Sequence, residues 1–391
     1  MSGPLRGLTV IELAGLGPVP FAAMLLADLG AQVVRVDRPA TKPSRQDPRK
    51  ELVHRGRRSV AVDLRSPRGV QTVLRLVDRA DVLLEGFRPG VTERLGLGPE
   101  LCLKRNPRLV YGRMTGWGRE GPLAPTAGHD IGYVATTGVL DACRRPGEQP
   151  TVPLNLVGDY GGGGVMLALG VMSAVWEAVR SGTGQVVDTA MVDGVAVLST
   201  LMHAEMAQGR WDPDGHNFLQ GDAPWYDTYR TADDRWVAVG ALEARFYRKL
   251  LEILELADED LPGQWDRSGW PRVKHRFAEV FATRTRDEWA QLFAGSDACG
   301  APVLSFAEAP LHPHHAARGT FVEHDGVLQP APAPRFSRTE PRLDRPPPVP
   351  GEHATEVLTE CGFDPVEIAE LERAGVLGVP VTRPSGEEVA G

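Results

Sequence analysis

The chain has 391 residues, with 43 lysines and arginines against 51 aspartates and glutamates and a formal charge of −8, which is long enough for two domains. A composition that is 42 % hydrophobic and 24 % charged argues against disorder or a fibrous repeat, and the negative balance offers no global field to a nucleic acid. The four cysteines, Cys102, Cys143, Cys299 and Cys361, form no Cys-x-x-Cys pair, so neither a disulfide framework nor a zinc knuckle is expected, and a reducing cytoplasm suits them.

In chain order, MSGPLRGLTVIEL carries no secretory pattern. The runs LTVIEL, QVVRVD, SVAVDL, DVLLEGF and RLVYGRM then alternate with the helical patterns PFAAMLLADLG and GVQTVLRLVDRA. This βαβ rhythm predicts a doubly wound parallel α/β layer, with functional loops at the carboxyl ends of its strands. Residues 114 to 164 are rich in Gly, Pro and Thr and read as a long irregular stretch, either functional or disordered. An apolar helix follows near 162 to 181. Its longest apolar run, Val165 to Trp176, is too short to span a bilayer and is closed by Glu177. From about 222 the texture changes to a smaller α+β domain. PAPAPRFSRTEPRLDRPPPVP reads as an extended strap, and the amphipathic pair after it packs back on the body.

The turn Gly15-Leu-Gly17-Pro-Val-Pro20, with Asp37 at the end of the second strand, resembles a dinucleotide fingerprint that lacks its third glycine. Arginines gather at the same sheet edge: Arg35, Arg38, Arg55, Arg57, Arg58, Arg88 and Arg94. A guanidinium fork at a strand end suits phosphate oxygens, and the competing reading of each is a solvated face. His129 and Asp130 in AGHDIGY, and Asp159 in NLVGDYGGGG, are residue types that move protons, and amides at a helix start can hold an enolate oxygen. Until another feature links them, a lone histidine reads first as structural and Asp159 as an ordinary helix N-cap. Gly161 to Gly164 suit either close approach of a ligand or a flexible turn. His312, His314 and His315 lie in a Pro-broken loop without acidic or cysteine partners, so no metal site is expected. Met191, Met202 and Met206 suit core packing, or an adaptable acyl-binding surface.

Taken together, GLTVIELAGLGPVPFAAMLLADLGAQVVRVDRP, EGFRPGVTERLGLGPE, RMTGWGREGPLAPTAGHDIGY, PLNLVGDYGGGG, GQVVDTAMVDG, APWYDTYRTADDRWVAVGALEARFY and APRFSR resemble, over nearly the whole chain, the family III CoA-transferase superfamily. Within it the pattern most resembles the α-methylacyl-CoA racemases. The resemblance implies an interlocked homodimer. Each chain would have a large Rossmann-like CoA-binding domain over 1–190, a linker over 191–222, a small domain over 223–308, a return linker over 309–335, and a segment 336–391 packing on the large domain. It implies His129 and Asp159 as two acid/base groups and Glu243 of the partner chain beside His129. It also implies the Asp130 backbone N–H at the thioester oxygen, and Arg38, Arg58, Arg88 and Arg94 at the CoA nucleotide. The substrate would be an acyl-CoA thioester, CoA being part of it, with no separate cofactor, no metal and no membrane or nucleic-acid partner. Gly132 stands where these racemases are expected to carry Asn, which bears on acyl specificity, and the extension from about 351 looks more like the wider superfamily. Two other chemistries compete: CoA transfer with Asp159 as nucleophile, and an NADP-dependent oxidoreductase with Arg38 on the 2′-phosphate.

Overall fold

The computed structural model describes residues 2–40, 42 and 46–381. They divide into a larger unit, Met1–Thr137, Leu154–Leu198 and Gly319–Gly391, and a smaller one, Gly138–Pro153 and Ser199–Arg318.

The larger unit is built on a seven-stranded sheet. Its strands β1 (Thr9–Leu13), β2 (Gln32–Asp37), β3 (Arg57–Val62), β4 (Val82–Glu85), β5 (Val110–Thr115) and β6 (Val186–Ala190) are parallel and lie in the order β3-β2-β1-β4-β5-β6. Both faces of this sheet are covered, so the strands read as nearly continuous apolar runs. Val10, Val33, Val82, Leu84 and Val110 pack on helix α1 (Pro18–Asp28), while Ile11, Leu13, Val34, Val36, Val60 and Val62 pack on helix α2 (Pro67–Val77). The strand order reverses between β1 and β4, so the loops that follow these two strands open a crevice at their carboxyl ends.

Past β5 the chain forms helix α3 (Asp130–Thr136), then a π-helix over Leu156–Val165 that runs directly into helix α4 (Met166–Ser181). The continuous helix of 26 residues is longer than the apolar run expected from sequence, and by length and apolarity it could cross a bilayer. Leu167, Val171, Ala174 and Ala178 are nonetheless buried in the core of this unit. Three glycines of the π-turn, Gly162, Gly163 and Gly164, are closed in by protein. A Cβ at Gly163 would stand 2.7 Å from Pro18 Cβ, one at Gly164 2.7 Å from the Phe21 ring, and one at Gly162 2.8 Å from Val195. They let α1 and helix α5 (Met191–Leu198) press against the π-helix backbone.

The C-terminal segment completes this unit. Residues 331–350 form no helix or strand. Helix α6 (Ala354–Glu360) and helix α7 (Pro365–Arg373) bring Val357, Leu358, Ile368 and Leu371 into the same core as Val73 and Leu76 of α2. Asp364 caps α7 by accepting the Glu367 N–H at 2.8 Å. A short strand, β10 (Leu377–Gly378), then pairs antiparallel beside β3.

The smaller unit holds an antiparallel sheet of β7 (Tyr226–Arg230), β8 (Trp236–Gly240) and β9 (Gly300–Pro302). Trp225, Tyr229, Phe277, Phe281 and Trp289 form its aromatic core. The unit boundaries differ from those expected. Met191–Leu198 is a packed helix of the larger unit rather than linker, and Ser199–Gly221 belongs with the small sheet. Segment 138–153 joins this unit because Arg145 donates to the buried Asp227 carboxylate at 2.9 Å, where Lys274 also binds at 2.6 Å.

Candidate active site

The arginines at the sheet edge separate by burial. Arg57 and Glu12 are both fully buried and pair at 2.6 Å, with further Arg57 donations to the carbonyls of Pro20 and Val53. Each nitrogen of the fork finds an acceptor, which offsets part of the cost of burying the charge, while Glu12 Oε1 has no hydrogen-bond partner among the described residues. Arg55 is bound to Asp28 and Gln329. Arg35 lies against Asp37, whose carboxylate also accepts the Ser59 hydroxyl at 2.6 Å. Burial pushes the Asp37 pKa up against these partners. A buried and fully engaged Asp37 cannot hold a ribose hydroxyl, which removes the acidic position of a dinucleotide fingerprint.

Arg58, expected at the CoA nucleotide, is instead 6 % exposed and clamps α6, donating to Glu356 at 3.0 Å and Glu360 at 2.7 Å. Its guanidinium is engaged by these two glutamates. Arg38, Arg88 and Arg94 are exposed; Arg88 follows β4 and lines the crevice at the strand ends.

That crevice encloses about 260 Å³. Leu16 and Pro18 come from the β1 loop, Arg88 from the β4 loop, Trp117 from the β5 loop, and His129 with Tyr133 from the start of α3. Leu16 is 93 % exposed, held out by glycines on either side, of which Gly17 has φ +70°. Tyr133 and Trp117 cross edge to face with centroids 4.7 Å apart. The Tyr133 ring fills the space that side chains at Gly116 and Gly128 would occupy. Neither aromatic residue stood out in the sequence, although the glycines of TGWG and AGHD mark the backbone those rings pack against. Met191 is buried in the core and also borders the crevice. A Cβ at Gly132 would reach only the Trp117 ring, at 3.9 Å, so glycine leaves the space over that indole open.

His129 is exposed at the N-cap of α3, and the first amides of that helix, including the Asp130 N–H, have no intrahelical acceptor. Asp159 sits in the first turn of the π-helix, next to Gly17, where an added Cβ would lie 3.2 Å from its Oδ2. The Asp159 backbone N–H donates to Asp130 Oδ2 at 2.6 Å. Burial and the Asp130 charge hold the Asp159 pKa above the ordinary carboxylate value, while a hydrogen bond from Asn155 and the charge of His129 pull it back. The fold therefore brings His129, Asp130 and Asp159 together from segments 29 residues apart.

Glu243 belongs to the smaller unit. It is exposed at the N-cap of the helix Ala244–Ile253, and its side chain makes no capping bond. The same unit contains a cavity of about 670 Å³ walled by Leu201, Met202, Phe218, Leu242 and Trp265. Met206 is exposed. The rings of His312, His314 and His315 neighbour one another, but among the described residues no group of three or more His, Cys, Asp or Glu side chains is placed to hold a metal.

The model of CoA-transferase family III matches residues 5–354. The α-methylacyl-CoA racemase of Mus musculus is 48 % identical over 371 residues, which is 94 % of this chain and 96 % of that protein. The α-methylacyl-CoA racemase of Homo sapiens is 47 % identical over the same shares of both chains. A crystal structure of a CAIB/BAIF family protein from Brucella suis matches with TM-score 0.80 at 27 % identity, covering 92 % of this chain and 100 % of that one. The chain belongs to CoA-transferase family III.

Proposed function

We propose that this chain is an isomerase that interconverts (2R)- and (2S)-2-methylacyl-CoA thioesters by 1,1-proton transfer through an enolate. One observation carries the chemistry: a histidine and a carboxyl of raised pKa stand together beside a crevice at the switch point of the sheet. Near-half identity to α-methylacyl-CoA racemases over almost the full chain supports the substrate class.

Inverting a carbon beside a thioester needs a base on each side of a planar enolate. In one direction neutral His129 accepts the α-proton and protonated Asp159 returns one to the opposite face. In the other direction the roles exchange. A carboxyl and an imidazole can share this work only if their pKa values approach each other, and the raised value at Asp159 moves in that direction. The amide of Asp130 at the start of α3, outside the intrahelical bonds, is suited to the enolate oxygen. The exposed guanidinium groups of Arg38, Arg88 and Arg94 suit the phosphates of CoA, whose binding energy holds the reacting carbon in place. CoA enters as part of the substrate and no separate cofactor is invoked.

The working form is a homodimer in which Glu243 of one chain supports His129 of the other. A second copy of the chain is the occupant best suited to α4, where Leu169, Trp176 and Val179 are exposed on one side of the helix. Four free cysteines go with residence in the cytoplasm.

The test is incubation with one epimer of a 2-methylacyl-CoA in D₂O, without acceptor acid. Deuterium entering the α-position while the epimers approach an equal mixture is the expected result. Absence of exchange, with CoA passing to a carboxylic acid added in a second incubation, would overturn the proton-transfer reading and make Asp159 a nucleophile.

A further inference from the structure

A π-helix leaves its first amides without acceptors, because the i→i+5 pattern begins only with the Tyr160 N–H, which reaches the Asn155 carbonyl at 3.2 Å. The Asp159 N–H lies just before that bond, and its acceptor is a side chain from another element: Asp130 Oδ2, at 2.6 Å. This contact governs the chain on both sides of it. A Cβ at Gly158 would overlap Asp130 Oδ2 and stand 2.8 Å from its Cγ, so the residue before Asp159 has to be glycine for the carboxylate to reach the amide. The other carboxylate oxygen, Oδ1, is buried with no hydrogen-bond partner among the described residues.

We propose that the Asp130 side chain is a positioning residue for Asp159, capping the π-turn at its amide and thereby fixing where the Asp159 carboxyl stands. This role is separate from any use of the Asp130 backbone N–H, and it rests on the reading of Asp159 as a base. A charged acceptor on a backbone amide is stronger than a neutral one, which suits a residue whose carboxyl must keep one position whether protonated or ionised.

The same carboxylate acts through its charge. The ionisable groups that bear on Asp159 are Asp130, which raises its pKa, and His129, which lowers it; the α1 side presents Gly17, which carries no charge. Tyr133, one turn further along α3, is itself pushed up by burial and by Asp159, and pulled back by Arg88. Removing the Asp130 charge therefore lowers the Asp159 pKa and leaves the other neighbours in place.

The experiment compares Asp130→Asn and Asp130→Ala with the wild-type enzyme by α-deuterium exchange, starting from each epimer across pH. Asn keeps an acceptor for the Asp159 N–H and removes the charge. The expected result is a pH profile whose Asp159-dependent limbs move to lower pH in both directions, with KM for the thioester unchanged. Ala removes acceptor and charge, and kcat falls on the order of tenfold to hundredfold, the rate equivalent of one charge-assisted hydrogen bond. If Ala fails to fold, the Asn profile decides. Unshifted limbs in Asp130→Asn, or a loss confined to KM, overturn the proposal. Asp159→Ala is measured beside them: if it retains exchange, the reading of Asp159 as a base fails. If it abolishes exchange while Asp130→Asn leaves the profile unmoved, only the positioning role fails.

Discussion

Gly158→Ala places one methyl group against the Asp130 carboxylate. The added Cβ would overlap Oδ2, approach Cγ to 2.8 Å and reach Val134 Cγ2 at 3.2 Å. Ordinary contact begins at 3.4 Å, so the carboxylate must retreat by more than half an ångström, which takes it out of good range of the Asp159 amide. Losing a hydrogen bond to a charged group costs about 1.5–3 kcal/mol. With about 2–4 °C of melting temperature per kcal/mol for a domain of this size, the melting point should fall by about 3–12 °C. Displacing Asp159 by a fraction of an ångström to one ångström should lower kcat by up to about 10²-fold. The assay is thermal melting together with α-deuterium exchange from each epimer. In an Asp130→Ala background the carboxylate is gone and only Val134 Cγ2, at 3.2 Å, still crowds the added methyl group, so the second substitution should cost at least about 1 kcal/mol less than it does alone. Wild-type exchange and melting in the single variant, or strict additivity in the pair, would refute the capping geometry.

Asp159→Asn should abolish exchange and at the same time raise the melting temperature near neutral pH. Burial holds the native pKa of Asp159 above 3.8, so ionising it costs the folded state above that pKa, whereas below the unfolded value both states are protonated and the cost vanishes. The gain should therefore be present at about pH 8 and absent at about pH 3; melts at both values check it. Arg58→Ala should cost about 1–2 kcal/mol, because its partners are half-exposed glutamates, and should leave KM for the thioester unchanged. Arg88→Ala should raise KM severalfold with no loss of stability; denaturant melts beside Michaelis curves separate the two. Trp176→Glu places a charge on the exposed apolar side of α4 and should halve the mass seen in sedimentation, with activity falling in parallel if Glu243 acts on the partner's site.

Much of the fold was legible because burial leaves a periodic trace. A parallel sheet covered on both faces must show unbroken apolar runs, and LTVIEL, QVVRVD and DVLLEGF show them. The crevice at the strand ends follows from the strand order. Other features left no local trace. The run GDYGGGG looked like a ligand loop or a flexible turn, because a glycine records the absence of a side chain and not what occupies the space. Only the approach of α1 and α5 shows that the space is filled by protein. The arginines were equivalent as letters, and burial then divided them into Arg57 and Arg58, spent on ion pairs, and Arg38, Arg88 and Arg94, left at the surface.

The candidate site divides in the same way. His129, Asp130, Asp159 and Glu243 could be named from motifs, since their residue types and neighbours are written in the chain. That Asp130 holds the Asp159 amide could not be foreseen, because the contact joins segments 29 residues apart and depends on a π-turn that no periodicity announces. Local patterns of burial and residue type are enough to specify the doubly wound layer and the inventory of proton-moving groups. Which arginines stay at the surface, what surrounds the glycines and how the Asp159 carboxyl is held emerge only on folding, because each depends on a partner brought close by packing.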